Sequence, residues 1–76
     1  MTNPDKIIDQ VLSYYNIPLE ILKSPVRTQG IAMARHLAMF LVRKYSNLSY
    51  PEIAKLFNRN DHTTVMHAEK NINYLR

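Results

Sequence analysis

Apolar side chains return every three or four residues along nearly the whole chain, and this spacing predicts helices and little else. In NPDKIIDQVLSYYNI, Ile7, Ile8, Val11, Leu12 and Tyr15 recur at helical spacing. Asn3 is placed to cap, and Pro4 fits the first helical position, so the spacing predicts a helix over about 4–15. Pro18 opens a short helical turn, PLEILK, and Pro25 biases Ser24 away from helical angles, which leaves residues 24–28 as an exposed basic connector. The longest stripe lies within residues 28–45, where Ile31, Ala34, Leu37, Ala38, Leu41, Val42 and Tyr45 share one face. Arg35, His36, Arg43 and Lys44 fall at or beyond its edge, which predicts that at least some of these cations share a solvent face.

In SYPEIAKLFN, Ser49 is placed to bond the Glu52 amide while Glu52 reaches back to the Ser49 amide, a capping box that opens a helix over about 50–57. Asn58, Arg59 and Asn60 then make a tight turn. The helical rhythm restarts near Asp61, with Val65, Ala68, Ile72 and Leu75 returning to one face. Met33, Met39, Phe40, Tyr14 and Tyr15 are expected at core or edge positions. The single glycine, Gly30, leaves almost no material for hairpins. The predicted fold is all-α, a small bundle in which a long basic central helix precedes a helix-turn-helix made of a scanning helix and a recognition helix.

Composition narrows the picture. A chain of 76 residues, 46% apolar and 21% charged, is expected to form one domain over residues 1–76. The absence of cysteine removes disulfides and thiolate metal sites. The beginning MTNPDKIIDQ lacks a basic segment followed by an apolar run, so a cytoplasmic protein is expected, with no membrane association. The net charge of +4 is unevenly placed. Residues 1–20 carry Lys6 against Asp5, Asp9 and Glu20, net −2; residues 21–59 carry seven cations against Glu52, net +6; residues 60–76 sum to zero. A basic middle is what a polyanion-binding face requires, although a solvated basic surface has the same composition.

The polar run Asp61, His62, Thr63 and Thr64 stands where the recognition helix begins. The leading end of such a helix enters the DNA major groove and needs compact groups. A threonine methyl can touch a thymine methyl, its hydroxyl can bond a phosphate or base edge, and the helix terminus attracts phosphate. Histidine can donate to a base or a phosphate. An aspartate there either accepts from a base amino group or caps the helix, and Asp61 suits both readings. Thr64 can also support that cap. Val65 belongs to the core, while His67 lies within reach of a phosphate.

Other chemistry finds no support. His62 and His67 stand about 140° apart around a helix, and no HExxH or cysteine pair exists, so no metal site is expected. A single glycine excludes a phosphate-cradling GxxxxGK[ST] loop. No catalytic set has a local signature, and the chain is not expected to be an enzyme.

DHTTVMHAEKNI, preceded by SYPEIAKLFNRN and ARHLAMFLVRKYSNLS, strongly resembles the C-terminal origin-binding domain of the DnaA family of bacterial replication initiators, over roughly residues 4–76. The resemblance implies a helical bundle with a helix-turn-helix that reads a TTATCCACA-type box in double-stranded DNA during chromosomal replication initiation or its regulation. It places Asp61, His62, Thr63 and Thr64 in the major groove, with Tyr50 and Pro51 approaching thymine. It also places Arg27 in the adjacent minor groove, where a narrow A/T-rich groove attracts a cation. Arg35, His36, Arg43, Lys44 and His67 fall to the DNA backbone. No cofactor is implied for this chain, ATP entering only through the ATPase domain of a full initiator. DNA is the implied partner, possible further ones being other initiator domains or regulators, with a monomer expected in isolation.

The chain departs from the family in three places. The family's turn commonly reads G-G-R where Asn58, Arg59 and Asn60 stand here, and asparagine tolerates the left-handed angles such a turn needs. His36 replaces a frequent glutamine and Tyr50 a frequent leucine, which bears on the preferred box. Two other readings fit the pattern: a generic helix-turn-helix regulator or sigma-region-four-like module with another target, and a protein-interaction bundle whose basic face meets an acidic partner.

Overall fold

The computed structural model describes residues 3–25 and 28–75, with side chains as far as residue 72. It contains five helices: α1 (Pro4–Tyr15), α2 (Leu19–Lys23), α3 (Gln29–Tyr45), α4 (Tyr50–Leu56) and α5 (Thr63–Leu75). The all-α expectation holds, and no strand occurs among the described residues.

Local chemistry sets the helix boundaries. The Asn3 side chain accepts the Asp5 N–H at 2.8 Å, and Pro4 opens α1 without a donor to lose. The helix stops at Asn16, whose backbone is left-handed (φ 56°, ψ 51°), and the Ile17 N–H turns back to the Leu12 carbonyl at 3.0 Å. The capping box of α4 is formed in both directions: Ser49 Oγ accepts the Glu52 N–H at 3.3 Å, and Glu52 Oε1 accepts the Ser49 N–H at 2.9 Å. Asn58 ends that helix with φ 61°. Its N–H donates to the Lys55 carbonyl at 3.0 Å, and the next amide, of Arg59, donates to the Ala54 carbonyl at 2.8 Å. These are the two bonds of a Schellman stop, so asparagine serves where glycine is usual.

Helix α3 is the centre. It packs mainly against α5 and α1, to a smaller extent against α2 and α4, and α4 also lies on α5. Met39 and Val42 of α3, Ile53 of α4, Val65 of α5 and Leu22 of α2 are fully buried. Phe57, the residue that closes α4, is buried as well, so the helix end plugs the core. Each such side chain stabilises the fold by about 1.5–3 kcal/mol relative to exposure.

Two expectations about burial need correction. The buried face of α3 is Ala34, Arg35, Ala38, Met39, Phe40 and Val42, while Ile31, Leu37 and Leu41 are only half-buried and Tyr45 is 50% exposed. A helix covered from several sides buries a wider arc than the single stripe that periodicity picks out. Tyr14 is not core or edge but 83% exposed, its ring meeting Tyr15 edge to face at 5.1 Å. Met39, Phe40, Met33 and Tyr15 are buried or half-buried as expected. Among the described residues no helix is long and apolar enough to cross a membrane.

Candidate nucleic-acid interface

Helix α5 begins at Thr63, two residues after Asp61, because Asp61 caps it. Asp61 Oδ1 accepts the Thr63 N–H at 3.0 Å, and the His62 carbonyl accepts the Val65 N–H at 3.0 Å. Of the two sequence readings for Asp61, capping is therefore realised in the geometry. The carboxyl is held below its ordinary value first by the Thr63 amide, then by the Thr63 side chain, with smaller help from His62 and His67. It is thus an anion at neutral pH, able only to accept. His62 Nδ1 lies 3.9 Å from the same oxygen.

Asp61, His62, Thr63 and His67 are exposed, and Thr64 is half-buried. The next residue after Thr64, Val65, is fully buried, with Ala68 on the same face. The helix is therefore anchored by its apolar stripe one step behind a polar tip. Short acceptors, donors and methyls stand there on a rigid element, an arrangement fitted to reading edges of a planar polar surface.

The cations of α3 divide. Arg35 is only 5% exposed. Its Nε donates to the Leu22 carbonyl at 2.7 Å and its Nη2 to the Ser24 carbonyl at 2.8 Å. Arg35 is therefore not among the cations on a solvent face: the guanidinium turns inward, away from the role at the DNA backbone that the resemblance implies. The loss of water around the cation is offset by charge-assisted bonds to carbonyls at the C-terminal end of α2, the negative end of that helix. Arg59, not expected to take part in any site, approaches the same end, with Nη2 donating to the Ser24 carbonyl at 2.8 Å and Nη1 to that of Lys23 at 3.4 Å. His36 is half-buried beside them. Burial, and then the positive charge of Arg35, hold its imidazole below the ordinary 6.5, so at neutral pH it is a hydrogen-bonding group more than a cation. Pro25, Ala32, Arg35, His36, Arg59 and Thr64 line one open cleft between the connector, α3 and the start of α5.

Farther along α3 the charge stays outward. Lys44 is exposed, with Nζ 5.5 Å from the Tyr45 ring centroid and 5.8 Å from that of Phe40. Arg43 is half-buried; its guanidinium carbon sits 4.3 Å from the Tyr50 ring centroid, and Nη1 donates to the Leu48 carbonyl at 3.0 Å. The Tyr50 hydroxyl donates to Glu69 Oε1 at 3.0 Å. Tyr50 thus carries a polar commitment that a leucine at this place would lack, while Pro51 beside it is exposed on the first turn of α4. Glu69, like Arg59, carries no local sequence signal, because its partner is 19 residues away. Arg27, expected in a minor groove, lies outside the described residues.

Residues 4–72 match the family described as the bacterial dnaA protein helix-turn-helix. The chromosomal replication initiator proteins DnaA of Clavibacter sepedonicus, Clavibacter michiganensis subsp. michiganensis and Leifsonia xyli subsp. xyli are each 43% identical to the chain over 72 residues, which is 95% of this chain and 15% of each relative. The chain therefore spans about 15% of the length of these relatives. Its capped α4, the left-handed turn at Asn58 and the polar tip on α5 are the parts of a helix-turn-helix, and with these matches the chain belongs to the bacterial DnaA-protein helix-turn-helix family.

Proposed function

We propose that this chain binds double-stranded DNA and reads a TTATCCACA-type box, in chromosomal replication initiation or its regulation. The observation that carries the proposal is the polar tip of α5, Asp61, His62 and Thr63, exposed on a helix that Val65 locks into the core. In this reading Thr63 and His62 contact base edges in the major groove. Thr64 reads from the cleft margin. Asp61 caps the helix through Oδ1 and offers its second oxygen to a base amino group. Pro51 and the edge of Tyr50 approach the same groove, while Arg27 takes the minor groove on the strength of the family resemblance alone.

Arg43, Lys44 and His67 serve the phosphate backbone, with His36 adding a neutral hydrogen bond. Arg35 supports the connector from inside. With Arg35 withdrawn, about four positive groups remain to displace counterions, Arg27 in the minor groove and Arg43, Lys44 and the α5 terminus at phosphates, so log K should fall with log salt at a slope of roughly −4. Binding as a monomer in the cytoplasm, without a cofactor, completes the reading; other initiator domains and regulators are further candidate partners.

Fluorescence anisotropy of a labelled TTATCCACA duplex against a scrambled duplex of equal composition, at about 150 mM salt, tests this. The expected result is binding to the box tighter by about tenfold or more. Equal binding to both duplexes would assign the helix-turn-helix another target, and no binding to either would sink DNA reading in favour of a protein partner.

A further inference from the structure

We infer that Arg59, a residue that makes no part of the expected DNA contacts, is a positioning residue for the leading end of α5. The inference rests on the DNA-reading function proposed above and assigns a specificity role within it. Arg59 is the third residue beyond α4 and is tied at both ends. Its amide closes the helix onto Ala54 at 2.8 Å, and its guanidinium reaches across to Ser24 at 2.8 Å and Lys23 at 3.4 Å. Arg35, coming from α3, binds the same Ser24 carbonyl at 2.8 Å. Three parts of the chain, the end of α2, the middle of α3 and the turn before α5, are therefore joined at one backbone oxygen.

Asp61 follows two residues later and immediately caps Thr63. Little slack separates the anchored side chain from the polar tip, and Arg59 and Thr64 line the same cleft. Hydrogen-bond readout of base edges tolerates only a few tenths of an ångström, since bonds hold between about 2.7 and 3.2 Å and are lost beyond about 3.5 Å. Attraction between a cation and a phosphate falls off far more gently. Freeing the turn should therefore erode discrimination between duplexes while leaving the electrostatic part of binding in place. Arg59 is half-buried and its guanidinium donates to two carbonyls, so the fork is held within the protein.

The test uses the whole chain with Arg59→Ala and Arg59→Lys, each titrated onto the box and the scrambled duplex over a salt series, with circular dichroism to establish that each is folded. Positioning predicts that Arg59→Ala lowers the box-to-scrambled affinity ratio by about tenfold with an unchanged salt slope. It also predicts that Arg59→Lys, which keeps the charge but not the fork, loses discrimination in the same sense. A slope shallower by about one, with the ratio intact and Arg59→Lys behaving as wild type, would make Arg59 a phosphate contact and overturn the inference. An unchanged ratio and slope in both variants would overturn it too. Should Arg59→Ala fail to fold, Arg59→Lys carries the same two readouts. If the wild-type chain itself does not distinguish the duplexes, the DNA-reading proposal falls, and the inference is then judged without DNA: amide exchange at Thr63, Thr64 and Val65 should rise in Arg59→Lys relative to that of Ile8 and Val11, and unaltered exchange would reject it.

Discussion

Two basic regions of this molecule behave in opposite ways. In the corner where α2 ends, the guanidiniums of Arg35 and Arg59 are turned onto the carbonyls of Leu22, Lys23 and Ser24. Elsewhere the polar groups face outward: at the end of α3 Arg43 and Lys44 rest against aromatic rings, and at the start of α5 the tip residues Asp61, His62 and Thr63 are exposed. Both regions contribute to the same net charge. Only the second offers that charge to a polyanion, because the first has exchanged its water for internal acceptors. Counting cations therefore overstates the binding face, and the distinction is open to measurement.

The largest expected effect is at Arg35. Arg35→Ala removes two charge-assisted hydrogen bonds and takes that donor from the buried Leu22 carbonyl, while Ser24 keeps the bond from Arg59; the loss should cost about 3 kcal/mol of stability in urea unfolding. Its salt slope for DNA should not change. A variant as stable as wild type, with a slope shallower by about one, would place Arg35 on the open face and erase the contrast. Thr63→Ala comes next, with a loss of about 1–3 kcal/mol of discrimination between box and scrambled duplex and stability within about 0.5 kcal/mol of wild type. Equal loss on both duplexes would deny it a base-reading role. Arg43→Ala should weaken all duplexes alike, make the slope shallower by about one, and cost roughly 1 kcal/mol of stability through the Tyr50 and Leu48 contacts.

Acid separates the two regions with the gentlest effect. His36, beside the closed corner, has a folded pKa below 6.5, so the unfolded chain takes up its proton first and stability declines as pH falls from about 6.5 toward the folded value. Asp61, at the open tip, also has a lowered pKa. Its contribution is complete above the ordinary 3.8 and is lost as pH falls through its folded value. A pH series of thermal midpoints should show the upper decline vanish in His36→Gln and the lower one soften in Asp61→Asn; a shared window for both would contradict the assignment.

What was legible in the sequence was whatever local chemistry decides. The capping box of Ser49 and Glu52, the stop at Asn58, the cap at Asp61 and the burial of Val65 all depend on groups within five residues of one another or on a helical stripe, and each is realised. The rest of the tip, His62, Thr63 and Thr64, was legible as a polar run at a helix start, and the family resemblance implies the same residues. Which of the α3 cations turns inward is not legible locally, because the acceptors of Arg35 come from 11 and 13 residues away. Tyr45 was assigned to the stripe and Tyr14 to core or edge, but no neighbouring helix covers either ring fully. The pairing of Tyr50 with Glu69, and of Arg59 with the end of α2, required the packed bundle to exist before it could be seen.

The link from Arg59 to Ser24 also bears on time. It joins residues 35 apart, whereas every helix in the bundle forms from contacts within four or five positions. Closing a loop of that length costs about 3 kcal/mol of chain entropy before its contact returns anything, so the link is expected to form after the helices it joins. Its loss is then felt in the unfolding rate while refolding stays as fast as before. Arg59→Ala should therefore speed unfolding more than it slows refolding, which stopped-flow kinetics in urea would read.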